Sequence, residues 1–495
     1  MTATEQADVL FVTCSYSKEE ARTRQIIKTY TPPLGLASLA AYLLEHGVST
    51  GIVDALALQL SSEDVLDQIA SIKPRVVGLT SITPLLGANR RLAGLIKSRF
   101  PEILIVLGGH HAATFKEKLL TEAPEFDVVV YPEGEIPLLS LVEAYAAADW
   151  DKEAFLSNEK SLSAIPGIGF RAASGAPVAT ERPPLITDLD ALPFPARHLL
   201  PMERYVPLPH QHSRLPAIHV MGSRGCPYSC AYCNNTAVMG TKLRLRTPEN
   251  IVKEIAELKR DFGAREIFFW DDTITVNRKW LNRLCEILIA EEMDVTWSAA
   301  TRVDIVAPEM LAMMRRSGCW RLFYGVESGV QGLLDLLDKK TTLKQARDAV
   351  KWTNDAGIET TASFMIALPG ETPDLARKTI DFALEIKPTY ADFHVTTPFP
   401  GTKIFEEAGK YGRLNMDFSR YDCYEPVFVP FGYKDEDEIR KMLSLAKRSF
   451  YFRPSYALKQ LVSIRSFGDV RRICRGFVTL LAFLSRSKRF QRRPD

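Results

Sequence analysis

Three of the eight cysteines fall within eight residues, in the stretch Gly222-Ser-Arg-Gly-Cys226-Pro-Tyr-Ser-Cys230-Ala-Tyr-Cys233-Asn-Asn. Thiolates spaced by four and then three residues fit one soft metal cluster. Zinc normally takes a fourth Cys or His close by, often in paired Cys-x-x-Cys units, and none follows Cys233. Three thiolates on a cubane of four irons leave one iron without a protein ligand, open to a chelating small molecule. Three buried cysteines or a structural zinc knuckle is the alternative reading. Cys14, Cys285, Cys319, Cys423 and Cys474 lie scattered on apolar or mixed segments and read as small buried hydrophobes.

A cluster loop needs a scaffold, and two alternating strand–helix series supply candidates. The first predicts strands at Val9 to Cys14, Thr50 to Ala55, Val76 to Ser81, Ile103 to Gly109 and Asp127 to Glu135, with helical spacing between them and stops at Gly47 and Pro74. This pattern predicts an α/β, doubly wound, Rossmann-like domain over residues 1–145. Residues 146–216 are rich in proline and acid-containing turns and read as a linker with little regular structure. The second series predicts strands at Ala217 to Ser223, Glu266 to Asp272, Thr296 to Thr301, Arg321 to Ser328, Thr361 to Pro369 and Ala391 to Pro400. Six alternations over residues 217–440 suit a partial β/α barrel, and the cysteine stretch follows its first strand. Asp271 and Asp272 end the second strand, on the face where such folds do chemistry; helix capping is their alternative.

With its Cys-x-x-x-Cys-x-aromatic-Cys motif, completed by Tyr232, the second half resembles the radical S-adenosylmethionine (SAM) superfamily. The resemblance implies a 4Fe-4S cluster on Cys226, Cys230 and Cys233, with SAM chelating the fourth iron and Tyr232 near the adenine. It implies further SAM contacts from Asp271 and Asp272 near the amino group, Arg302 to the methionine carboxylate, and Glu327 to the ribose. Pro369 and Gly370 of ALPGET would let backbone approach the adenosine.

The first half resembles the cobalamin-binding domain of the cobalamin-dependent radical SAM class. Pro33-Leu-Gly-Leu-Ala, Gly78-Leu-Thr-Ser81, Gly108-Gly-His-His111 and Glu133-Gly-Glu135 carry the match. They cluster at the carboxyl edge, where doubly wound sheets bind ligands. Leu34, Gly35, Thr80, Ser81, Gly108, Gly109, His110, Glu133, Gly134 and Glu135 are therefore the expected cobalamin contacts. The chain lacks the Asp-x-His-x-x-Gly motif of domains that ligate cobalt through histidine, which implies cobalamin held without one. Pro132 also stands where the family usually has glycine.

The resemblance implies a 5′-deoxyadenosyl radical and, most often in this class, transfer of a methyl group to an unactivated carbon of a lipid or secondary metabolite. The anaerobic magnesium-protoporphyrin monomethyl ester cyclase type shares the same motifs and is the alternative. A non-enzymatic cobalamin or redox sensor is a third reading, for which SAM-shaped strand ends would be unnecessary. An external electron donor such as flavodoxin or ferredoxin is implied.

Apolar and charged fractions of 46% and 25% are those of a soluble globular protein. No run reaches the roughly 18 apolar residues of a spanning helix, and the start reads as strand, so a cytoplasmic protein is expected. The +2 net charge conceals a basic extension: Lys441 to Asp495 holds 14 lysines and arginines against Asp469 and Asp495. Its mixture with Phe and Leu predicts a basic helical extension over residues 441–495, suited to peripheral contact with anionic lipid or to packing on the barrel. No nucleic-acid reading motif accompanies it, and no nucleic-acid partner is expected.

Overall fold

The computed structural model describes residues 6–14, 31–208, 211–454 and 456. Among these the chain forms two compact units. One runs to Tyr205 and also includes Asn234–Gly240; the other holds Val206–Cys233 and everything from Thr241 onward.

The first unit is built on a seven-stranded sheet. Its strands are β1 (Val9–Thr13), β2 (Thr50–Asp54), β3 (Val76–Thr80), β4 (Leu104–Gly108), β5 (Val128–Val130), β6 (Ile168–Arg171) and β7 (Pro177–Ala179), in the order β2-β1-β3-β4-β5-β6-β7. The first five are parallel, as alternation with helices requires. Their apolar runs are continuous because both faces are covered. Leu10 and Val12 enter one core with Ile105 and Leu107; Val9 and Phe11 enter the other with Leu104 and Val106. The helix Ser62–Ile72 is fixed by a capping box between Ser61 and Asp64, which satisfies two backbone donors at its start.

The first part of the segment read from sequence as linker has regular structure, whereas residues 180–196 form neither helix nor strand. Helices Lys152–Ser157 and Glu159–Ala164 precede β6 and β7, which extend the sheet antiparallel. Its end is anchored by the Tyr205 hydroxyl, 2.7 Å from Oδ2 of buried Asp54 on β2.

The second unit has β8 (Ala217–Val220), a small antiparallel pair β9 (Ser223–Arg224) and β10 (Arg244–Leu245), then β11 (Glu266–Phe269), β12 (Thr296–Thr301), β13 (Cys319–Glu327), β14 (Glu359–Ile366) and β15 (Tyr390–Val395). Six of these form one parallel sheet in the order β15-β14-β13-β12-β11-β8. Since strand order follows chain order without reversal, right-handed crossovers lay every intervening helix on one face and leave the other open. Phe269 meets Trp297 edge-on, both fully buried in the helix-covered layer. Its neighbours Phe268 and Trp270 therefore face the open side, where they form an aromatic wall with His219 at 4.8–5.6 Å. Trp270 is 46% exposed.

The helix Glu436–Tyr451 crosses the boundary expected at residue 441. It buries Ile439, Met442, Leu443, Ala446 and Phe450, and packs on β15 through Phe450 and Phe393. Beyond it the basic extension lies largely outside the described residues. No helix among the described residues is long and apolar enough to cross a membrane.

Candidate functional site

The cysteine loop leaves the end of β8 and is braced against the end of β11. Asp271 is buried, and its carboxylate accepts from the Gly222 amide at 3.1 Å and from the Ser223 hydroxyl. Both donors lie just ahead of Cys226. Burial pushes Asp271 up to about 6, against these two hydrogen bonds. Asp272 is exposed. Burial also pushes the Cys226 thiol upward, and the charges of Asp272 and Cys230 add to it.

Cys226, Cys230 and Cys233 form no disulfide and are partly exposed. A bond from the Cys233 amide to the Cys230 carbonyl, 3.0 Å, tightens the turn carrying Tyr232. That ring packs on Ala231, Leu333, Leu337, Leu368 and Ile404. The Tyr232 hydroxyl donates to Glu327 Oε1 at 2.8 Å, while Lys339 Nζ donates to the Tyr232 oxygen at 2.7 Å and to Glu327 at 2.9 Å. Glu327 ends β13 with φ +67°, beyond an irregularity in the β13–β14 register. Such a bulge re-aims a side chain, here toward the cysteine loop. A Cβ at Gly325 would run into both Glu327 and Lys339.

Arg302 is held at several points. Nε and Nη2 engage both carboxylate oxygens of Asp304 at 2.9 and 3.0 Å, and Nη2 also donates to the Lys339 carbonyl at 2.7 Å. Its remaining arm, Nη1, lies 3.7 Å from the Cys230 sulfur, and the guanidinium sits 3.8 Å from the Tyr228 ring centre. A permanent positive charge is thus fixed against the Cys230 thiol.

Pro369 and Gly370 close β14 in a turn where Ala367 and Gly370 take φ +65° and +75°. Glu371 holds this turn: its Oε1 accepts from the Ala367 amide and the Tyr433 hydroxyl, each at 2.6 Å. It is fully buried, and burial pushes it up to about 7. Lys339, Asp304, Tyr228 and Glu371 were not singled out from sequence. Glu371 stands just before the helix Pro373–Ile386, where an acid ordinarily reads as a helix-terminal charge.

The donor set fits an iron–sulfur cluster: three thiols beside a guanidinium. No three His, Cys, Asp or Glu side chains among the described residues are grouped to hold a single metal ion. A cubane takes each thiolate at a different iron, so its ligands stand apart. Cys226, Cys230 and Cys233 would hold it.

In the first unit the expected cobalamin residues gather at the carboxyl ends of β3, β4 and β5 and at the start of the helix Leu34–Glu45. Gly109 has φ +93°, and a Cβ there would stand 2.7 Å from Thr80 Oγ1 and 2.8 Å from the Ser81 backbone. Only glycine allows the β3 and β4 loops to close this tightly. The Ser81 amide bonds to the Gly108 carbonyl at 2.9 Å, and the His111 amide to the Ser81 carbonyl at 3.0 Å. Gly134 packs on Leu39, whereas Gly35 has nothing within 4 Å of where a Cβ would be. Glu133 and Glu135 are buried; His110 is exposed. His111 is buried, which pushes its ring down to about 4 and keeps it neutral. A floor of small residues with polar edges suits a broad, flat ligand such as a corrin, and Thr80, Ser81 and Gly109 would form that floor.

The chain matches the B12 binding domain over residues 25–142 and the radical SAM superfamily over residues 220–383. It is 32% identical over 462 residues to an uncharacterised methyltransferase of Pyrococcus horikoshii, covering 93% of this chain and 96% of that one. It is also 32% identical over 423 residues to the anaerobic magnesium-protoporphyrin IX monomethyl ester cyclase of Rubrivivax gelatinosus, covering 85% and 74% of the two chains. Among solved structures, the fold matches the cobalamin-dependent SAM radical enzyme OxsB, with aqua-cobalamin and SAM bound, at TM-score 0.71 and 16% identity, covering 97% of this chain and 71% of that one. The chain therefore belongs to the cobalamin-binding radical SAM enzymes, with a 4Fe-4S cluster, SAM and cobalamin as cofactors.

Proposed function

We propose that this enzyme is a methyltransferase acting at an unactivated carbon of a small molecule. The observation that carries the reading is the likeness to the Pyrococcus methyltransferase across nearly the full length of both chains. When bound, the cofactors supply electron transfer, radical generation and a transferable methyl group; the protein supplies position and exclusion of water.

In this proposal Cys226, Cys230 and Cys233 hold the cluster, while Asp271 fixes the loop through Gly222 and Ser223. Tyr232, Glu327, Asp272, Pro369 and Gly370 border SAM. Lys339 joins them, since it already donates to Tyr232 and Glu327. Arg302 acts on the cluster through Cys230. Leu34, Gly35, Thr80, Ser81, Gly108, Gly109, His110, Glu133, Gly134 and Glu135 border cobalamin. An external one-electron donor such as flavodoxin or ferredoxin completes the reaction.

Oxidative ring closure is the second reading, favoured by the equal identity to the Rubrivivax cyclase. Anaerobic incubation with methyl-labelled SAM and a host extract separates the two. Methyl transfer carries label into a product. An unlabelled, ring-closed product accompanied by 5′-deoxyadenosine would overturn it in favour of the cyclase.

A further inference from the structure

The open face of the second unit's sheet carries another group of polar side chains at its β15 edge. On β15, Phe393 faces the helices, stacked on Phe364 and touching Phe450. Asp392 and His394 therefore face the open side. His394 is in register with Met365. Met365 packs on the same apolar cluster as Tyr232, and Glu327 acts electrostatically on the His394 ring. The group thus borders the Tyr232–Glu327–Lys339 site.

Two further elements complete it. The loop after residue 420 brings the Tyr424 ring to 5.6 Å from that of His394. The helix Glu436–Tyr451 brings Lys447 Nζ to 5.3 Å from the centre of the Tyr424 ring. The loop is held firmly: Cys423 takes φ +67°, its carbonyl accepts from the Val395 amide at 2.9 Å, and Asp422 accepts from the amides of Tyr424 and Glu425 at 2.8 and 2.9 Å. A non-glycine residue held in the left-handed region is backbone strain of the kind that gathers at functional sites.

His394 Nδ1 is buried and, among the described residues, has no hydrogen-bond partner; Thr361 Oγ1, on the open face of β14, is in the same state. Buried polar atoms are ordinarily satisfied, so these two point to water or a ligand beside them. Burial lowers Lys447 to about 8, with Asp392 acting the other way, so its ammonium stays mostly protonated at neutral pH. Burial also lowers His394 and keeps its ring neutral. The facing charges are Asp392, Glu327 and Lys447. Glu327 is already paired with Lys339, so Lys447, opposed by Asp392, is the cation that a ligand carboxylate would meet, with the His394 ring beside it.

We propose that Lys447, His394 and Tyr424 form a substrate-recognition site for a carboxylate, which holds a carboxylate-bearing small molecule on the open face beside Tyr232 and Glu327. This rests on the enzyme reading above and names the class of its substrate.

The test is calorimetric titration of the full-chain holoenzyme with benzoate, its neutral isostere benzamide, and phenylphosphonate. Benzoate should bind best, with benzamide weaker by about tenfold or more, the scale of a lost charge-assisted hydrogen bond. K447M should weaken benzoate by a similar factor and K447R much less. K441M, on an exposed position of the same helix, should leave it unchanged. H394Q provides a second variant should K447M fold poorly, and it too should weaken benzoate. Equal binding of benzoate and benzamide, or benzoate binding indifferent to both K447M and H394Q, overturns the site. A preference for phenylphosphonate overturns the carboxylate assignment. The enzyme reading is tested separately, by 5′-deoxyadenosine formed from SAM and dithionite in the wild-type protein. A protein that cleaves SAM without preferring benzoate loses only this site.

Discussion

We propose that Arg302 tunes the cluster through Cys230. Its guanidinium is neutralised on one side by Asp304 and turned on the other toward the Cys230 sulfur. Positive charge beside a ligand sulfur favours the more negative, reduced cluster. R302M should therefore lower the midpoint potential of the reconstituted cluster. Loss of a charge-assisted hydrogen bond, about 1.5 kcal/mol, corresponds to about 60 mV for one electron. A potentiometric titration followed by electron paramagnetic resonance reads this; R302M and wild type at the same potential would remove Arg302 from this role. Glu371 gives a second prediction. Its carboxyl is raised from 4.5 to about 7 in the fold. The buried neutral acid therefore stabilises fully below about pH 4.5, and that contribution fades as pH rises to about 7, by roughly 3 kcal/mol at most. E371Q cannot ionise. Wild type should lose denaturant midpoint relative to E371Q between about pH 5 and about pH 8, and a pH-independent difference would refute it. At this scale the sequence was legible where spacing alone carries chemistry, as with the three cysteines. It was not legible for Lys339, whose partners Tyr232 and Glu327 are 107 and 12 residues away.

At the scale of elements, the loops at the carboxyl edge of the first sheet depend on close backbone approach. G109A places a methyl against Thr80 and the Ser81 backbone at a φ that alanine avoids. The cost is of order 1–3 kcal/mol, drawn from the β3–β4 loop pair. The variant should fold yet take up less cobalamin, read by the visible absorbance retained after gel filtration; full retention would separate this loop from the cofactor. Long parallel strands were readable because burial on both faces makes them continuous apolar runs. β6 and β7 were not, since they have only four and three residues and lie among prolines. Their pairing depends on β5, which no local pattern reports.

For the whole molecule, the basic extension poses a question of location. The helix Glu436–Tyr451 belongs to the core through Phe450 and Tyr451, the latter's hydroxyl bonded to the Ala391 backbone at 2.9 Å. A truncation must therefore leave it intact. We propose that the basic residues beyond Tyr456 give peripheral contact with anionic lipid, each adding about 1 kcal/mol near such a surface. The full chain should float with phosphatidylserine-containing liposomes at low salt, and a chain ending at Tyr456 should not. Equal flotation of both would refute the proposal.

The path of the chain has a consequence for how the protein can be divided. Directly after Cys233 it leaves the second unit, and the helix Asn235–Met239 puts Val238 into the core that holds Ala112 and Ala113 before the chain returns at Thr241. No single cut yields two intact halves. A fragment starting at Val206 would carry an apolar helix with nothing to receive it, tethered one residue from a cluster ligand. Modular transplantation of the SAM-cleaving half onto another cobalamin carrier must therefore graft this seven-residue stretch together with its host, and inheritance of the two halves is tied by the same stitch.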